Sequence, residues 1–246
     1  MVSISRGSEN ADELMKAADA ACYTTKEKGR NRLADFDETD EKLTRRDGET
    51  QWAIRIPRAL NENRFCLYQQ EIMDLDGHDD GLHYEILLRM IGEDGSIIMP
   101  DRFLPDAERY KLATDIDTWV VTNVFDWLQQ NPRHLNQLKI CAINLSALSV
   151  SNNGFYSLVV EQLQSYEIPP EKIRFKVTET GAISNLSSAT RFIRALKKLG
   201  RQFVLDDFGS GLSLYAYLKN LPVDILKIDG VFVKDILEDK IDLATV

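Results

Sequence analysis

IRFKVTETGAISNLSSATRFIRALKKLGRQFVLDD, residues 173–207, holds two short apolar runs separated by one helix-length stretch. Ile173–Thr178 and Gln202–Asp206 read as strands, each a run of branched and aromatic residues that ends in polar ones. Ser187–Leu199 reads as a helix, and Gly200 closes it. Strand, helix and strand in that order form the repeating unit of an α/β architecture. The alternation continues on both sides. Toward the N-terminus lie candidate strands Phe65–Leu75, His83–Met90 and Leu138–Leu145, with helices Asp117–Gln130 and Gly154–Tyr166; toward the C-terminus lies Ile225–Ile228. These six strands resemble most of a barrel of eight strand–helix units, so the fold expected is α/β, an incomplete TIM-like barrel.

Composition agrees with a globular protein. The 246 residues are 43% hydrophobic and 28% charged, enough for one large domain or two small ones. A formal charge of -9 argues against a surface for a nucleic-acid polymer, which needs clustered Lys and Arg, but leaves room for one small nucleotide. Cys22, Cys66 and Cys141 are scattered and lack CxxC spacing, so a reducing cytoplasm is expected rather than a disulfide framework or a zinc site. No apolar run reaches the length of a membrane span, and no membrane contact is expected from this segment.

Before the alternating pattern begins, residues 11–28 (ADELMKAADAACYTTKEK) read as a single helix after a short strand, VSIS. Two elements cannot bury a core, which marks residues 1–36 as the tail of some other domain. The charged run FDETDEKLTRRDGET, residues 36–50, reads as a linker, so a second domain is expected over 51–246.

In such barrels the reacting groups project from the carboxyl ends of strands. Glu85, Asn144, Asp206, Asp207, Lys227 and Asp229 all stand at or near ends of apolar runs. Any one alone could be a turn or capping residue. Together, carboxylates and an amide oxygen suit Mg2+ or Mn2+ rather than zinc, and metal-assisted phosphoryl hydrolysis is the chemistry they point to.

The surrounding words narrow this reading. RFCLYQQEIMDL, YEILLRM, PDRFLPDAER, AINLS, VTET, LDDFGSG and LPVDILKIDGVFV occur in the order found in EAL domains, and the resemblance covers residues 52–246. Glu85-Ile86-Leu87 stands where that family writes its name motif. ADELMKAADAACYTTKEKGRNR also resembles the closing helix and strand of a GGDEF domain, without the GGDEF signature itself. The resemblance implies hydrolysis of cyclic di-GMP to pGpG, on a barrel whose first strand runs against the others. It implies Glu85, Asn144, Asp206 and Asp207 as ligands of Mg2+ or Mn2+. Lys227 would hold the attacking water or a phosphate oxygen, with Asp229 beside it, and Gln70 and Arg89 would contact the dinucleotide. Pairing of two EAL domains as a homodimer is implied as well, although Leu214 stands where the loop concerned usually has a second serine.

Two departures from the family pattern bear on activity. Lys176 occupies a position that the family gives to a metal-binding glutamate, and a protonated amine offers a metal no lone pair and repels it. By strand alternation Lys176 shares a face with Thr178 and not with Glu179, whose family task is to steady the loop after Asp206-Asp207. Lys176 is left two placements, swung outward or paired with Asp206 or Glu85. The pairing would keep the site electrically balanced while abolishing metal-bound hydroxide, so impaired catalysis is expected, or else a degenerate EAL domain acting as a cyclic-di-GMP receptor or interaction module. The family pattern also continues for two strand–helix units past Val246, with a glutamate regarded as general base and a glutamine that contacts guanine. A barrel two strands short, inactive by itself, is the corresponding expectation.

Overall fold

The computed structural model describes residues 52–73, 81–209, 218–234, 236–239 and 243. All of these except 52–55 belong to a compact unit, Ile56–Val246. The readings of residues 1–50 and of the loop around Leu214 lie outside the described residues.

Among the described residues, seven strands form one sheet. β1 (Phe65–Glu71), β2 (Leu82–Ile91), β4 (Leu138–Asn144), β5 (Ile173–Thr178), β6 (Gln202–Phe208) and β7 (Ile225–Ile228) follow one another across it, and the two-residue β3 (Ile97–Ile98) pairs with β2 to the side. β1 runs antiparallel to β2, and every later pairing along that path is parallel. From β2 through β4 and β5 to β6, the order of the parallel strands follows the sequence because helical segments long enough to cross back over the sheet separate each from the next.

Those helices are α1 (Leu104–Arg109), α2 (Ala113–Gln130), α3 (Pro132–Gln137), α4 (Ala147–Val150), α5 (Asn153–Ser165), α6 (Glu179–Ser184), α7 (Leu186–Lys197) and, after β7, α8 (Gly230–Lys234). Their starts are capped where the sequence supplies a short polar side chain. Ser146, Asn152, Thr178 and Asn185 each accept a backbone N–H from the first turn of the helix that follows. On α7, Ala189, Phe192, Ile193 and Leu196 are buried at three- and four-residue spacing, the stripe that lies against the sheet. There Phe192 meets Phe203 edge-on at 6.1 Å, and Phe203 lies 5.7 Å from Phe175. Gly200, with φ +80°, turns the chain from α7 into β6 at a point where a Cβ would come within 2.8 Å of Pro170.

Strands β5 and β7 have the expected limits, whereas β1 stops at Glu71, before the expected Leu75, and α2 begins four residues ahead of Asp117. The extra turn of α2 carries Ala113 and Ile116, both buried, so burial rather than a capping signal extends it. β3, α1, α3, α4 and α6 were not anticipated, because elements of one or two turns are too short to show a period. No helix among the described residues is long and apolar enough to cross a membrane.

The aromatic layer between the sheet and α7 yields a stability test. Phe203 is fully buried. Phe203→Ala is expected to lower the unfolding free energy by about 3–5 kcal/mol, measured as a shift of the urea midpoint.

Candidate functional site

Side chains alternate across a strand, so the register decides which residues share a face. Glu85 pairs with Ala142, and Asn144 lies two residues beyond Ala142; Asn144 pairs with Lys176, and Thr178 with Asp206. Val204 pairs with Ile225, which puts Lys227 on the same face one step further along. Glu85, Asn144, Lys176, Asp206 and Lys227 therefore line one face of the sheet, opposite the face that Phe175 and Phe203 present to α7. Gln70 joins them from β1, where it stands directly across from Glu85.

Lys176 is the centre of this group. Its Nζ lies 2.6 Å from Glu85 Oε2 and 2.7 Å from Asp206 Oδ2, and its side chain is only 3% exposed. Of the two placements open to it, the structure thus takes the inward one, paired with both carboxylates. Lys227, 53% exposed, reaches the same pair from solvent, 3.1 Å from Asp206 Oδ1 and 3.9 Å from Glu85 Oε2. Asn144 Nδ2 donates to the remaining Glu85 oxygen at 2.7 Å.

The ionisation of Asp206 follows from this setting. Burial alone would raise its pKa, but the ammonium groups of Lys176 and Lys227 outweigh burial and hold its carboxyl below the ordinary aspartate value. For Lys227, burial works against the charged form, yet Asp206 and then Glu85 prevail and shift it upward. Asp207 moves the other way from its neighbour: burial and the charges of Asp206 and Asp229 raise it.

The remaining expected residues stand around this core. Asp207 is exposed and has φ +53°, a left-handed conformation that turns its side chain out of the strand's alternation. Asp229 Oδ1 accepts Val231 N–H at 2.9 Å, the geometry of a turn at the start of α8. Arg89, four residues beyond Glu85 on β2, lies 5.4 Å over the Tyr68 ring and donates to Leu88 O. Glu179 is buried, and its Oε2 accepts Gly209 N–H at 2.8 Å, tying the start of α6 to the turn after Asp207.

Asp117 was not singled out in the sequence, though a signal was present: it falls on the apolar stripe of α2 among Ala113, Ile116, Val120 and Val121. Its Oδ2 accepts Ser146 N–H at 2.8 Å, fixing the turn directly after Asn144. Burial pushes its carboxyl up to about 6 against the pull of that hydrogen bonding.

The geometry tests whether a divalent metal suits this face. Glu85 Oε2 and Asp206 Oδ2, the oxygens best placed to share an ion, converge instead on an ammonium group. Among the described residues, no group of three or more His, Cys, Asp or Glu side chains is arranged to hold a metal. The residues present do not fit Mg2+ or Mn2+ at this carboxylate pair.

A mainly parallel sheet whose first strand runs antiparallel at the edge, with acidic, amide and ammonium groups on one face, defines a barrel-type α/β protein with a polar mouth. Residues 54–246 match the EAL domain, and the chain belongs to that family. It is 41% identical over 96% of its length to the cyclic di-GMP phosphodiesterase PdeB of Shewanella oneidensis, covering 28% of that protein. It is 38% identical over 78% of its length to the cyclic di-GMP phosphodiesterase PdeF of Escherichia coli, covering 25% of it. The chain therefore spans about a quarter of the length of these curated relatives. Among solved structures it resembles the FimX EAL domain from Pseudomonas aeruginosa bound to c-di-GMP, with 30% identity, a TM-score of 0.70, and 78% of this chain and 77% of that one covered.

Asp117 and Asp206 bear on stability in opposite pH windows. A carboxyl raised by folding favours the fold when protonated, so the Asp117 contribution is full below its unfolded value of roughly 3.9 and is lost as pH rises through about 6. The depressed Asp206 contributes above its unfolded value and loses that contribution as pH falls through its folded one. Urea midpoints of the parent and Asp117→Asn, compared between roughly pH 4 and pH 7, are expected to show the parent losing stability relative to the variant as pH rises. A difference that does not change with pH would remove Asp117 as the titrating group.

Proposed function

We propose that this chain is the EAL portion of a cyclic-di-GMP signalling protein of the phosphodiesterase kind, whose mouth binds cyclic di-GMP. Hydrolysis to pGpG is the chemistry of that kind, lowered here by Lys176. The observation that carries the reading is the gathering of Glu85, Asn144, Asp206 and Lys227 on one face of a chain that belongs to the EAL family. The FimX EAL domain, 30% identical to it, is bound to c-di-GMP in its solved structure, which supports the same ligand.

In this reading Arg89 and Gln70 contact the dinucleotide. The planar guanidinium of Arg89 suits a phosphate and already lies over an aromatic face, Tyr68, beside which a base could stack. Lys227 is the exposed cation of the mouth and meets a phosphate oxygen, while Asp207 and Asp229 border that point and Glu179 steadies the turn that carries them. A divalent metal is the family expectation, but Lys176 fills the carboxylate pair that would share it.

Lys176 favours a second reading, a receptor that binds cyclic di-GMP without cutting it. A cytoplasmic setting, a GGDEF remnant over residues 1–36 and a homodimer through the EAL domain belong to the same proposal.

The intact protein, given cyclic di-GMP and Mg2+, separates these outcomes. Release of pGpG, followed by chromatography, supports the enzyme; binding by calorimetry without release supports the receptor; absence of both refutes the proposal. Arg89→Ala is expected to weaken cyclic-di-GMP binding by roughly tenfold or more while leaving the far-ultraviolet circular dichroism unchanged.

A further inference from the structure

Three strands deliver charge to one point. Glu85 comes from β2, Lys176 from β5 and Asp206 from β6, and the lysine's single Nζ lies within 2.7 Å of an oxygen of each acid. A rim lysine could sample other positions, but Lys176 is enclosed, with 3% of its side chain exposed against 53% for Lys227. Two acids converging from separate strands would repel one another without a cation between them. The pair also supplies the kind of oxygen donors that draw Mg2+, Mn2+ or Ca2+ when nothing else neutralises them.

We infer that Lys176 is a built-in counter-ion: its ammonium takes the place between Glu85 and Asp206 that a divalent cation would otherwise occupy, and cyclic-dinucleotide binding at this mouth is consequently independent of divalent metal. The inference about the ligand rests on the functional reading above, whereas the inference about the cation rests only on the geometry of the three side chains. Lys227 completes the balance. Two carboxylates, Glu85 and Asp206, face two ammonium groups, so the charge of that pair is balanced from within the fold, with Asp207 and Asp229 at its border. Asn144 is uncharged, and its Nδ2 donates to the Glu85 oxygen that Lys176 leaves open. Replacing Lys176 by glutamate would leave three carboxylates against one ammonium, an excess of two negative charges directed at a small volume.

The test compares the parent chain with Lys176→Glu and Lys176→Gln in the intact protein, each checked for folding by circular dichroism. Free Mn2+ is titrated by electron paramagnetic resonance, and cyclic-di-GMP binding is measured by calorimetry in EDTA and in Mg2+. Lys176→Glu is expected to gain Mn2+ affinity of roughly tenfold or more over the parent, with Lys176→Gln between them. The parent is expected to bind cyclic di-GMP equally in EDTA and in Mg2+. A parent that binds Mn2+ as tightly as Lys176→Glu would overturn the inference, as would folded variants that gain no affinity or cyclic-di-GMP binding abolished by EDTA. Should Lys176→Glu fail to fold, Lys176→Gln decides alone: a gain of Mn2+ affinity supports the counter-ion, and no gain refutes it. If no form binds cyclic di-GMP, the proposed ligand is wrong while the Mn2+ comparison still settles the role of the lysine.

Discussion

Because side chains alternate along a strand, pairing Asn144 with Lys176 and Thr178 with Asp206 commits β4, β5 and β6 to a shared division of labour. Phe175, Val177, Phe203 and Leu205 turn to one face and are buried there. Lys176 and Asp206 turn to the other. A slip of one residue in either pairing would drive the charged set under the helices and the aromatic rings out of them. The apolar layer, with Phe192 of α7 against Phe203, thus holds the ionic cluster in register from the opposite face of the sheet.

That cluster has an unfavourable side. Taking an ammonium and two carboxylates out of water costs several kcal/mol per ion, and their mutual attraction offsets this only when the geometry is close and the remaining lone pairs are occupied. Both conditions are met here. Lys176 lies at ion-pair distance from both acids, Asn144 occupies the other Glu85 oxygen, and Asp206 Oδ1 accepts Asp207 N–H at 3.0 Å while Lys227 approaches it from solvent. The depressed pKa of Asp206 is the electrostatic trace of the same balance, with two cations outweighing burial. A buried lysine without these partners would be a liability; with them it joins three strands at one atom.

Much of this was legible in the sequence, for a physical reason that also marks its limit. The limits of β5 and β7 and the order of the strands follow from apolar runs bounded by polar residues, a one-dimensional signal. Glu85, Asn144, Asp206 and Lys227 were expected at one mouth because each stands in or at the end of an apolar run, although Glu85 falls inside β2 rather than at its end. The sequence left Lys176 two placements because parity fixes the face of a side chain but not where its end rests; only the neighbouring strands, with an acid on each, decide that. Asp117 escaped notice for a related reason. Its partner, Ser146 N–H, is a backbone group 29 residues away, and residue identity carries no record of a backbone hydrogen bond at that range.

Glu179 shows why the lysine cannot be bypassed by a near neighbour. It lies three residues after Lys176, and parity alone would set it on the opposite face from the cluster; it is also the first residue of α6, past the end of β5. Its carboxylate is buried and already accepts Gly209 N–H, holding the turn that follows Asp206 and Asp207. Moving it toward Glu85 would release that turn and leave the part-buried Gly209 N–H unmatched. The charge at position 176 is therefore set by residue 176 alone. With lysine there, the Glu85–Asp206 pair is neutralised from within the fold, and the mouth is left to recognise a ligand through its exposed cation, Lys227, and the polar groups around it.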